Sequence, residues 1–208
     1  MKQTVSNVLF FVLLGALVLA APTAALAQGT ASTPTASATP AAPTSGFRAD
    51  FLADWDDMAK KAVSLAEAMP AEKYNWRPPG ARSVSEIYMH IASGNFGFMR
   101  LLGVEPPPGI DPRALEKTVT EKAKAVEVLK QSFEHVRRAV LNTPDADLDK
   151  PVKFFGQPST VRNVLYIVGT HQHEHFGLTI AYARINSVVP PWTAARQAPQ
   201  QEKEKPKQ

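Results

Sequence analysis

The histidines are the residues of this 208-residue chain best suited to chemistry, and two of the five, His171 and His175, stand four apart. Side chains at that spacing project from one face of a helix, so both imidazoles can reach a single cation about 2.0–2.1 Å from each nitrogen. On a helix turning about 100° per residue, Val164, Val168, Leu178, Tyr182 and Ile185 share one side, and His171 and His175 lie in the middle of that stripe. His173 is turned to the opposite side and faces solvent. A third inward histidine comes from another segment, where His90 sits on the edge of the stripe Val84, Ile87, Ile91, Phe98 and Leu101. His135 points away from the face marked by Val126, Phe133 and Val136 and is not a candidate. Two neutral imidazoles so close on a buried face need either a polar partner or a metal. The pattern therefore predicts one divalent ion held by His90, His171 and His175.

All-imidazole ligation suits zinc or nickel ahead of iron or manganese. Three such ligands leave a tetrahedral ion one open position, normally taken by water. Gly94 and Gly97, one turn beyond His90, leave room for that water or for a ligand. Two carboxylates stand near enough to be catalytic candidates, Glu86 and Glu174. Glu86 also completes a Ser-x-x-Glu capping box with Ser83, which is a structural role. Glu174 flanks the inward face beside His175, where it is either an outer-shell acceptor or exposed. The metalloprotease pattern His-Glu-x-x-His is absent, and so are a Ser/His/Asp set and a phosphate-cradling glycine loop.

Four amphipathic helices must position these groups. The first carries Phe51, Trp55, Met58, Ala62, Leu65 and Met69 at steps of four and three and ends at Pro70. The second opens at Ser83 and runs to about Leu102, before Pro106-Pro107-Pro108-Gly109 forbids helix. A capping box at Thr118-Val119-Thr120-Glu121 opens the third, which carries Val119, Val126, Leu129, Phe133, Val136 and Val140 on one face and stops near Asn142. Val152 to Gly156 predicts a short extended or hairpin connector, and the last helix runs from about Thr160 to Asn186. Four helices with almost no strand signal make an all-α, four-helix bundle.

The chain begins with Lys2, an apolar run of about thirteen residues from Val8 to Ala20, and Ala25-Leu26-Ala27, which reads as a secretory signal cleaved after Ala27. The run is shorter than the roughly twenty residues needed to span a bilayer, so no stable membrane anchor is expected after cleavage. Without cysteine, the exported fold rests on an ordinary hydrophobic core. Residues 28–46 form a flexible Ala/Thr/Pro/Ser spacer, residues 47–192 the bundle, and residues 193–208 a polar tail whose composition predicts disorder.

The sequence pI of about 9.3 owes much to the ends of the chain. Lys2, Arg196, Lys203, Lys205 and Lys207 are five of the 23 basic residues, and Glu202 and Glu204 two of the 19 acidic ones. The 18 basic and 17 acidic residues that remain give no phosphate-tracking face, which excludes nucleic acid as the main partner. A small-molecule substrate is expected, with a second copy of the chain as a further candidate partner.

The stretches Ser85-Glu86-Ile87-Tyr88-Met89-His90-Ile91-Ala92 and His171-Gln172-His173-Glu174-His175-Phe176-Gly177, followed by Arg184 to Pro191, resemble the DinB-like superfamily of bacterial four-helix metal-binding proteins. The resemblance implies an up-down-down-up bundle with His90 from the second helix and His171 and His175 from the fourth on one divalent ion. It also implies an enzyme of hydrolase or thiol-transferase type. Abundant small thiols are cytoplasmic, so an export signal weakens the transferase reading. A periplasmic or secreted metal-dependent enzyme is the reading this leaves, with a non-catalytic periplasmic metal- or ligand-binding protein as the alternative.

Overall fold

The computed structural model describes residues 41–204, so the expected signal segment, 1–27, and most of the spacer lie outside the described residues. Four long helices carry the fold: α1 (Phe47–Ala68), α2 (Val84–Leu101), α4 (Lys122–Asn142) and α5 (Val161–Ile185). A single turn, α3 (Leu115–Thr118), lies between α2 and α4, and strands β1 (Pro151–Phe154) and β2 (Gln157–Thr160) precede α5. The main packing pairs are α2 with α4, α1 with α4, α2 with α5 and α1 with α5. The first and second long helices, α1 and α2, and the last two, α4 and α5, therefore face each other across the diagonals of the bundle while α2 and α4 pack side by side, as in the up-down-down-up order. Long connectors make that order possible, since a short loop would force consecutive helices side by side.

The periodic apolar positions form the core. Leu52, Trp55, Met58, Ala62, Leu65 and Met69 are buried along α1, and the Trp55 indole donates to the Phe133 carbonyl of α4 at 3.1 Å. Tyr74, in the turn after α1, donates its hydroxyl to the Ala66 carbonyl at 2.7 Å. The predicted capping box at the start of α2 is complete: the Ser83 hydroxyl accepts from Glu86 N, and Glu86 Oε2 accepts from Ser83 N at 2.8 Å. These contacts fix where α2 begins and hence the rotation that carries His90 inward.

Three expectations need correction. The predicted box at Thr118 does not form, because Thr118 ends α3 and turns its hydroxyl back to the Ala114 carbonyl, and α4 starts after Glu121 with no side-chain cap. On α5, Leu178 and Ile185 are exposed, while Thr179 and Ala183 are buried in their place. The sequence stripe follows a seven-residue repeat, from which a straight helix drifts by about 20° per heptad, and the error accumulates toward the C-terminal end. His135 is buried against the Phe96 ring, 5.2 Å between centroids, because α4 packs on both α1 and α2 and so hides an arc wider than one stripe.

The β1–β2 hairpin is antiparallel, pairing Phe154 with Gln157 across a two-residue turn, Phe155-Gly156. Both turn residues have positive φ, +46° and +83°, the geometry that matches the twist of the strands. Phe154 packs on Phe98 of α2, 5.8 Å between ring centroids, which docks the hairpin beside the histidine-bearing helices. After α5, helix α6 (Pro191–Glu204) enters the stretch predicted to be a disordered tail. Pro191 presets the first helical turn, and Trp192 lies 5.6 Å from Phe176 of α5. Among the described residues no helix is long and apolar enough to cross a membrane.

Candidate metal centre

α2 and α5 are packing neighbours, and their contact brings His90 against His171 and His175. Ring centroids are 4.4 Å apart for His90–His175 and His171–His175 and 5.2 Å for His90–His171. One nitrogen from each residue lies within 4.8 Å of the other two. Nε2 of His90 and Nε2 of His171 are 3.3 Å apart. Ligand bonds of 2.0–2.1 Å at tetrahedral angles require nitrogens about 3.3 Å apart, so this pair already has the spacing of two ligands on one ion.

Neighbouring groups set the orientation of each ring. His90 Nδ1 lies 2.7 Å from Glu116 Oε1, and Arg82 Nε donates to Glu116 Oε2 at 2.8 Å. A carboxylate can only accept, so Nδ1 of His90 carries the hydrogen and Nε2 keeps its lone pair for the cluster. His171 is seated by Gly94 of α2: a Cβ there would come within 2.5 Å of the His171 Cε1. Gly94 thus makes room for the His171 ring rather than for a bound molecule. Gly97 has open space around it and faces the adjoining cleft.

The electrostatics favour neutral rings at His171 and His175. Burial, reinforced by His175, His90 and Arg82, pushes the His171 pKa down to about 4. Burial and His90 also lower that of His175, against a smaller opposing pull from Glu174. Burial works to raise the pKa of Glu116, but the hydrogen bonds from Arg82 and His90 prevail and hold it below the usual carboxylate range. At neutral pH His171 and His175 therefore offer unprotonated imidazoles, and the carboxylate of Glu116 beside them is ionised. Nδ1 of His171 and Nδ1 of His175 are buried without a hydrogen-bond partner among the described residues. Such orphaned donors and acceptors cost stability unless a ligand or solvent engages the ring. Spacing, protonation and the orphaned atoms all fit a divalent cation.

The structure brings together His90, His171 and His175 and leaves the other sequence candidates apart. Both Glu86 oxygens are engaged, one by Ser83 N and one by Arg77 at 2.8 Å, so the residue holds the start of α2. Glu174 is exposed and acts on the cluster only as a nearby charge. His173 is exposed, with Nδ1 donating to the Gly169 carbonyl at 2.9 Å. Glu116 and Arg82 are functional neighbours that sequence reasoning missed. Glu116 lies in the connector after α2, 26 residues from His90, where no helical periodicity ties it to the histidine. A cleft of about 700 Å³ opens on His90 and His171, walled by Phe98, Leu101, Phe155 and Arg113.

The sequence model of the DinB superfamily matches residues 54–179, which include all three histidines. A DinB-like protein from Bacillus cereus ATCC 10987 is similar in structure, with a TM-score of 0.60, 17% identity, and coverage of 68% of this chain and 93% of that one. YfiT from Bacillus subtilis, described as a probable metal-dependent hydrolase with an unusual four-helix bundle topology, has a TM-score of 0.55 and 13% identity, covering 72% of this chain and 95% of its own. No curated protein matches the sequence significantly.

Proposed function

Because this chain belongs to the DinB superfamily, we propose that His90, His171 and His175 hold one divalent ion, zinc or nickel by ligand type, in an exported metal-dependent enzyme of hydrolase or transferase type. The observation that carries this reading is the 3.3 Å approach of two imidazole nitrogens at the head of an open cleft. A structural metal site is closed by four protein ligands, whereas here a cleft of about 700 Å³ reaches two of the three histidines. That access favours chemistry over storage or bracing.

A divalent ion in this position supplies Lewis acidity, acidifying a water molecule or polarising a substrate carbonyl. The chain supplies the rest. Glu116 fixes the tautomer of His90 by accepting from Nδ1, and Arg82 keeps Glu116 ionised and in place. Gly94 lets the His171 ring lie flush against α2. Phe98, edge-on to His171 at 5.2 Å, shields one side of the cluster from water, which strengthens every electrostatic interaction within it. The signal-like first 27 residues support action outside the cytoplasm, on a small molecule sized to the cleft.

Cobalt substitution tests this function. The visible spectrum of the cobalt-loaded protein should change on adding azide or a small thiol, because the cleft gives them access to the ion. A spectrum indifferent to both, with a side-chain carboxylate as fourth ligand, would leave a non-catalytic metal-binding protein.

A further inference from the structure

The tip of the β1–β2 hairpin breaks two rules at once. Phe155 has φ +46°, in the left-handed region that a bulky side chain with a Cβ occupies at a cost and glycine does not. The first position of such a turn is ordinarily Asn, Asp or Gly. Nor does burial offset the strain, since Phe155 is 74% exposed. Its ring stands T-shaped against Phe154 at 4.6 Å, and Phe154 in turn packs on Phe98, which touches His171 edge-on. A run of aromatic rings therefore leads from the histidine cluster to a strained, exposed Phe155 that walls the same cleft. Backbone strain kept without any gain in core packing is the mark of a residue held for recognition.

The cleft also contains a cation without a local counterpart. Arg100 is paired with Glu105 at 3.1 Å, and Arg82 behind the cluster is paired with Glu116. Arg113 also lines the cleft, and among the described residues no carboxylate lies within ion-pair distance of its guanidinium. The ionised side chains of this wall thus sum to a single uncompensated positive charge. A guanidinium binds a carboxylate through two parallel hydrogen bonds, and one charge matches one carboxylate.

We propose that Phe155 and Arg113 form a substrate subsite beside the histidine cluster, selecting a small molecule that joins a planar, aromatic group to a single carboxylate. The inference rests on reading the cluster as the reaction centre. In it Phe155 stacks on the ring of the substrate, Arg113 takes its carboxylate, and the bond to be broken or made is left toward His90 and His171.

Calorimetric titration of the full chain with benzoate tests the subsite, using acetate, benzyl alcohol and phenyl phosphate as comparison probes, on both zinc-loaded and chelator-treated protein. Benzoate should bind about tenfold tighter than acetate or benzyl alcohol, and the preference should survive chelation. Phe155→Gly should weaken benzoate by roughly 3- to 10-fold, with thermal stability unchanged or raised because glycine accepts the φ of the turn. Arg113→Gln should weaken benzoate by about tenfold and leave benzyl alcohol unaffected. Zinc uptake, measured on the same samples, should be the same in both variants as in the parent. Benzoate binding unaltered by both substitutions would overturn the subsite, and phenyl phosphate binding at least about tenfold tighter than benzoate would overturn its carboxylate assignment. Loss of zinc uptake in the parent with benzoate still sensitive to Phe155 and Arg113 would remove the metal reading and leave the subsite standing.

Discussion

Nδ1 of His90 and Oε1 of Glu116 are 2.7 Å apart, and this one hydrogen bond fixes which nitrogen of His90 faces the other two histidines. The carboxylate is itself held by Arg82, so the ring is oriented through two successive contacts from outside the cluster. Carboxylates that accept from metal-ligating histidines raise ligand basicity and hold the ring in line.

Replacing Glu116 by Gln should lower zinc affinity by roughly 10- to 100-fold in a chelator competition, with the bundle intact. Glu86→Gln is the matched control. It should leave zinc affinity unchanged and cost roughly 0.5 kcal/mol of stability, because Gln keeps the capping-box acceptor and loses only the ion pair with Arg77. Equal losses of affinity in the two variants would show that the contact with His90 does not matter.

Gly94 and Gly97 should behave differently despite standing three apart on α2. A methyl group at Gly94 would meet the His171 ring at 2.5 Å, whereas one at Gly97 meets nothing within 4 Å. Gly94→Ala should therefore weaken zinc binding by roughly tenfold or more by pushing His171 out of line. Helix propensity should hold thermal stability level or raise it. Gly97→Ala should keep full zinc affinity, and a loss there as large as at Gly94 would contradict the close seating of His171.

Metal-free protein should lose stability on acidification earlier than its carboxylates alone would dictate. His135, His171 and His175 all have pKa values lowered by burial, so the unfolded chain binds more protons than the folded one once pH falls below 6.5. Stability from these groups is complete above 6.5 and declines until pH reaches about 4, where His171 titrates in the folded chain. Thermal melts of chelator-treated protein should follow that course, with a shallower slope in His171→Ala. A melting temperature that rises as pH falls through this window would contradict the burial of His135, His171 and His175 as neutral rings.

Much of the site is legible in sequence because His171 and His175 are paired by local helical geometry, and His90 is tied to an apolar stripe of its own. What escapes is whatever depends on how elements meet. Glu116 reaches His90 from a Pro-rich connector with no period to read. His135 is hidden because α4 touches two helices, so a single-stripe wheel understates its burial. Gly94 suggests space for a ligand when read alone, but its space is filled by the ring of His171 from the facing helix. The four-helix class follows from periodicity and capping, whereas the diagonal placement of α1 against α2 and of α4 against α5 depends on connector paths that periodicity does not encode.

The most direct measurement is the metal content of the full chain after incubation with excess zinc and removal of free ion, repeated for single His→Ala variants. The parent should retain about one ion per chain. His90→Ala, His171→Ala and His175→Ala should each lose it, while His173→Ala keeps it and His135→Ala keeps it despite losing packing against Phe96. Stoichiometry well below one in the parent, or equal losses at His173 and His171, would contradict a three-histidine metal centre in this bundle.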